Sequence, residues 1–234
     1  MSFWQVTMGR SVRLSRTYIV LGVGMSIYGT IMSNALSLIP TDSAGPSRAP
    51  IDLMNSFPVL SVAILSLSAM LFSLPVVMLF VYDKNNGVLE YLLSTGLDQF
   101  EIFKGYVKAS LSLATYLLVF SNIFNTAIGF YLGTGLSLLA VMAVLTSAIG
   151  ISEVFLVTIS MMAFSSFQKT PMGANQPLGV IVGIIPMFPA LILPLMFPTY
   201  ALAIDVSIAV VTLLVSLALL LSVSRLVLRE KLLP

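Results

Sequence analysis

The chain has 234 residues, 58% of them hydrophobic and 9% charged, with 11 Lys and Arg against 9 Asp and Glu, and its mean hydropathy is +1.05. A soluble domain carries roughly a quarter charged residues, so the composition predicts an all-α integral membrane protein. With no His and no Cys, a thiol nucleophile, an imidazole base or metal ligand and any disulfide are excluded. The expectation is a non-enzymatic chain with no catalytic residue, metal or bound cofactor of its own.

Residues 1–17 come before the first long apolar run and combine Phe3, Trp4, Met8, Val12 and Leu14 with Arg10, Arg13 and Arg16. On a helical wheel the apolar side chains share one broad arc, which predicts an amphipathic helix lying in the headgroup layer. The following run, residues 18–39, is long enough to span a bilayer and ends without a small-residue cleavage site, so it reads as an anchor and not as a signal peptide. A turn-rich loop, T-D-S-A-G-P-S-R-A-P-I-D, leads to a second run at 57–81. Further runs at 106–132, 136–164, 178–197 and 200–223 bring the expected spans to six, within a transmembrane domain at 18–224 and ahead of a tail at 225–234.

Lys and Arg fall on one side of this layout. Arg10, Arg13 and Arg16 precede the first span; Lys84, Lys104 and Lys108 lie between the second and third; Lys169 follows the fourth; Arg225, Arg229 and Lys231 follow the sixth. The other side has only Arg48, so both termini and the loop at 83–105 are expected in the cytoplasm of a cell (plasma or inner) membrane, with membrane lipids as partners and no nucleic acid.

That loop, within Y-D-K-N-N-G-V-L-E-Y-L-L-S-T-G-L-D-Q-F-E-I-F-K-G-Y, is the only long stretch with charges at short intervals and a clear apolar face. Asn85, Asn86 and Gly87 are poor helix formers that tolerate turn backbone. Val88, Leu89, Leu92 and Leu93 recur at helical spacing, and Gly96 stands where a left-handed cap would end a short helix. Asp98 and Glu101 form an Asp version of the capping box at the start of a second helix. A plain connection needs only about two to eight residues, so a short amphipathic helix here is expected to dock on a partner.

The run G-V-L-E-Y-L-L-S-T, followed by E-I-F-K-G-Y, resembles the cytoplasmic loop of the ABC type-2 permease family, over about 25 residues and with a compatible six-span layout. Val88 stands where that family usually has Thr, Gly96 where it has Pro, and Tyr106 where Lys is common. The resemblance implies a coupling helix made by Gly87, Val88, Leu89, Glu90, Tyr91, Leu92, Leu93 and Ser94, docked on a separate ABC ATPase subunit that binds ATP and Mg. It also implies pairing with a second copy or a related permease, and a broken, re-entrant helix at 186–198. The chain contains no G-x-x-x-x-G-K-[ST] phosphate loop, so any ATP would be hydrolysed on another polypeptide. The resulting expectation is the permease subunit of an ATP-driven exporter, with a hydrophobic peptide, lipid-like compound or drug as cargo.

Two acidic residues interrupt apolar runs. Glu153 lies in the inner half of the fourth run, where an exposed carboxylate costs about 2.5 kcal/mol or more, and Asp205 lies near the outer start of the sixth; both are candidates for a translocation path. Gly129 with Gly133, and Gly179 with Gly183, have the spacing that lets helices approach closely. The alternative to an ABC permease is an ATPase-independent six-span protein: a secondary transporter using Glu153, or a membrane immunity or regulatory factor.

Overall fold

The computed structural model describes residues 2–36, 49–164, 185 and 187–226. Among these the chain is all-helical: α1 (Phe3–Leu14), α2 (Arg16–Leu36), α3 (Ala49–Asn85), α4 (Val88–Ser94), α5 (Gln99–Tyr131), α6 (Leu136–Phe164), α7 (Met187–Met196), a 3-10 turn (Pro198–Tyr200) and α8 (Ala201–Leu226). Five helices, α2, α3, α5, α6 and α8, are long and apolar enough to cross a membrane, which is compatible with a multi-pass membrane protein. The expected fifth span is not among them. Its first residues lie outside the described ones, as do Gly179, Gly183 and Pro186, and α7 with its 10 residues is about 15 Å long, half the hydrocarbon thickness. Arg48, Lys169, Arg229 and Lys231 also lie outside the described residues.

The spine of the bundle is α3. Three apolar clusters follow one another along it: one around Val76, Leu79 and Phe80 at its C-terminal end, one around Ala69, Met70, Leu74 and Val77, and one around Val62 and Ala63. The first includes Ile159 and Met162 of α6 and is touched by Leu219 of α8; the third takes Ala190 of α7 and Ala209 of α8. Thus α4, the start of α5 and the ends of α3, α6 and α8 share one end of the bundle. The α5–α6 turn, α7 and the start of α8 share the other.

Between apolar helices in lipid there is no hydrophobic driving force, so close packing and interhelical hydrogen bonds hold them. Both are present. Ser26 meets Ser121 at 2.5 Å and Asn34 donates to Asn125 at 3.0 Å, tying α2 to α5. Ser110 meets Thr158 at 2.9 Å and Asn122 donates to Ser147 at 3.0 Å, tying α5 to α6. Ser66 reaches the Thr146 carbonyl from α3, and Ser216 the Ser152 carbonyl from α8. Small residues set the α2–α3 approach: a Cβ on Gly22 would lie 2.9 Å from the Phe72 Cβ and one on Gly29 would collide with Ile64. Gly129 packs against Leu139 inside the chain, whereas Gly133, expected to share that packing role, has φ 85° and closes the α5–α6 turn.

The N-terminal helix packs much of its apolar arc on the bundle. Its apolar side chains Phe3, Met8 and Val12 pack on the cluster at the α4 end of α3 and α5, so that part of the arc meets protein, while Trp4 lines hollows at the surface. Leu14 also stays outside the cluster, at 57% exposed.

Candidate functional site

The site is built at the α4 end, from two chain breaks and a buried ion pair. Helix α3 stops where the Asn86 side chain donates to the Tyr82 carbonyl at 2.8 Å and Gly87 turns left-handed, φ 72°. A side chain at that φ is strained by about 1 to 2 kcal/mol, which is why glycine can reverse the chain here. Seven residues later α4 closes in a Schellman motif. Gly96, φ 88°, donates to the Leu93 carbonyl, and Leu97 reaches back to that of Leu92, satisfying carbonyls the helix end would otherwise leave open.

The faces of α4 differ sharply. Leu89 is 1% exposed inside the cluster of Val76, Phe80, Ile102 and Tyr106, and Leu92 and Leu93 pack half-buried against it. The leucines expected to meet a partner therefore hold α4 on the end of its own bundle. What α4 presents outward is Glu90, Tyr91 at 68% exposed, and Ser94, whose hydroxyl donates to the Tyr91 carbonyl; Val88 is half-buried beside them.

Asp98 takes the N-cap position of α5 with extended backbone, but its side chain makes no capping hydrogen bond. The expected Asp98–Glu101 box is thus not formed: the Asp98 main-chain oxygen accepts from the Glu101 amide as well as taking the first regular helix bond from Ile102. Both carboxylates are exposed, where water competes for them and the helix N-terminus still favours their charge.

Below α4 lies a group that the sequence did not single out. Asp83 is 0% exposed, and Arg10 of α1 holds it with a two-pronged pair, Nη2 to Oδ1 at 2.7 Å and Nη1 to Oδ2 at 3.1 Å. Tyr106 of α5 donates its hydroxyl to the same Oδ2 at 2.6 Å. The Tyr106 ring stands edge-on to Phe3 and to Phe80, at 5.7 and 5.2 Å. Gly105 leaves room for Phe3, whose ring occupies the place a Cβ would take. One carboxylate therefore joins α1, α3 and α5 at the root of the α4 hairpin, with both oxygens satisfied. The available signal was Asp83 itself, an acid directly closing a long apolar run and so in need of a partner; Arg10 read only as an orientation charge.

Glu153 and Asp205 do not join this group. Glu153 is 0% exposed, and neither of its carboxyl oxygens has a hydrogen-bond partner among the described residues; Asp205 is the same. Glu153 lies six residues, about 9 Å, from Ile159 of the cluster under α4. Its neighbour Ser152 is level with Ser216 of α8, eleven residues, about 16 Å, from Asp205. The two carboxyls are separate sites at different depths. Among the described residues no group of acidic side chains is placed to hold a metal ion.

The chain matches no family model, no curated protein and no solved structure. Its function must be argued from its own geometry.

Proposed function

We propose that the chain is a six-span permease subunit of an ATP-driven exporter, with α4 as a cytoplasmic coupling helix between spans two and three. The observation that carries this reading is α4 itself: a separate short helix between two left-handed glycines, anchored by Leu89 and showing Glu90, Tyr91 and Ser94 outward. A linker needs no such anchor. A lever does, because a push on its outer face must reach the spanning helices, and the Arg10–Asp83–Tyr106 group ties the root of that lever to α1, α3 and α5. The bias of Lys and Arg supports a cytoplasmic position for this end. The short α7 and the turn at Pro198–Tyr200 fit the broken element near an exit gate that the family resemblance implies, and a second copy would complete the pathway.

A second reading, an ion-coupled transporter working without an ATPase, is favoured by one observation, the carboxyl of Glu153, which has no hydrogen-bond partner among the described residues. Gentle solubilisation of the tagged protein from its own membrane separates the two. The exporter reading expects an ATP-hydrolysing polypeptide with Walker motifs to copurify, and Glu90→Arg to lower its ATP turnover. No ATPase in the eluate, together with transport that survives ATP depletion, would sink it.

A further inference from the structure

Two hollows meet beside α1, bordered in common by Trp4 of α1 and Lys108 of α5. One, of 340 Å³, opens toward α4 and is lined by Glu101 and Lys104. The other, of 490 Å³, runs along α5 past Leu111 and Thr115 to Tyr116. Lys104 and Lys108 are exposed, and neither has an ion-pair partner among the described residues. Arg10, the nearby cation of α1, is already taken by Asp83.

We infer that this groove is a binding site for one phospholipid of single negative charge. The chemistry divides along its length. Two lysines less one glutamate leave a local charge of +1 at the mouth, which complements a phosphodiester, and Glu101 can accept from a hydroxyl or amine of the headgroup. Beyond Lys108 the second hollow is lined by Leu111, Ser112, Thr115 and the ring of Tyr116, none of them charged, and so offers a wall for an acyl chain. Distances along α5 agree: Lys104 to Tyr116 is twelve residues, about 18 Å, close to one leaflet of the roughly 30 Å hydrocarbon core plus its headgroup edge. Trp4 lies at the mouth, the level that tryptophan prefers in a bilayer. A free phosphate would satisfy the lysines and leave the apolar half empty, so a lipid is the better occupant. Basic grooves at the cytoplasmic face are where anionic lipids are concentrated. The choice of leaflet rests on the orientation proposed above; the site itself does not rest on the transport reading.

Trp4 is the chain's one tryptophan, so its fluorescence reports on this groove. The purified protein is titrated in mild detergent with brominated phosphatidylglycerol, and separately with brominated phosphatidylcholine and phosphatidylethanolamine. The glycerol lipid is expected to quench Trp4 at the lowest mole fraction. Lys104→Gln and Lys108→Gln should each weaken it about fivefold, the Arg variants should restore it, and millimolar inorganic phosphate should not displace it. Equal quenching by phosphatidylcholine would overturn the proposal, as would unchanged quenching in the double Gln variant. Displacement by phosphate would make it an anion site only. Labelling of Asn86→Cys, clean in a chain with no native Cys, reads the orientation independently of lipid binding.

Discussion

At the scale of single residues, the Arg10–Asp83–Tyr106 group decides how the α4 end holds together. Asp83 has left water entirely, and Arg10 remains 42% exposed. Removing one member of a buried pair costs about 3 to 5 kcal/mol because it strands the other. Arg10→Ala should therefore destabilise the protein by about 3 kcal/mol, the low end of that range, since Tyr106 still donates to the carboxylate. Tyr106→Phe should cost about 1.5 kcal/mol, as for a hydrogen bond to a charged group. Arg10→Ala combined with Asp83→Asn should be less destabilised than Arg10→Ala alone, because the second change removes the charge that needs pairing. Denaturant midpoints of the purified variants check the order. Additive losses would show that the three side chains do not act as one unit.

At the scale of elements, the two faces of α4 can be tested apart. Leu89→Asp puts a charge into the cluster of Phe80 and Ile102 and should destabilise the protein itself by about 3 kcal/mol or more. Tyr91→Arg, on the outward face, should leave the melting temperature within about 2 °C, since exposed substitutions cost within about 0.5 kcal/mol, and yet, under the exporter reading, lower the ATP turnover of the ATPase that this reading expects to copurify. Melting curves and ATPase assays on the same preparations test this; a Tyr91→Arg protein that melts early would mean that its side chain serves the fold. The extent of α4 was legible in the sequence because glycine marks backbone conformations that other residues avoid, at Gly87 and Gly96. Which face of α4 points inward was not: leucines at helical spacing say that a face is buried without saying against what. Asp98 shows the same limit, its position legible and its hydrogen bond not, because an exposed carboxylate chooses between amide and water. The close approaches at Gly22 and Gly29, and a pair as distant as Arg10 and Asp83, depend on tertiary neighbours that no local pattern encodes.

At the scale of the whole molecule, burial is uneven, and the unevenness bears on Glu153. The apolar window of α3 is 67% buried and that of α6 56%, against 22% for α8, so α3 and α6 form the interior and α8 lies at the edge. Glu153 is on one of the two interior helices, with Val154 in the middle cluster on one side of it and the Ser152–Ser216 contact to α8 on the other. A carboxyl at this depth costs about 2.5 kcal/mol or more, and among the described residues no hydrogen bond offsets it. Its removal should thus relieve the fold: Glu153→Leu should raise the stability of the purified protein by about 2 kcal/mol, and Glu153→Gln, which leaves an unpartnered amide, should change it by less than about 1 kcal/mol. If the residue belongs to a translocation path, the more stable Leu variant will be the one that no longer transports, the trade expected where a site is kept strained for activity. Transport and denaturant midpoint measured together on both variants distinguish this from a packing role, for which the Leu variant would be more stable and equally active.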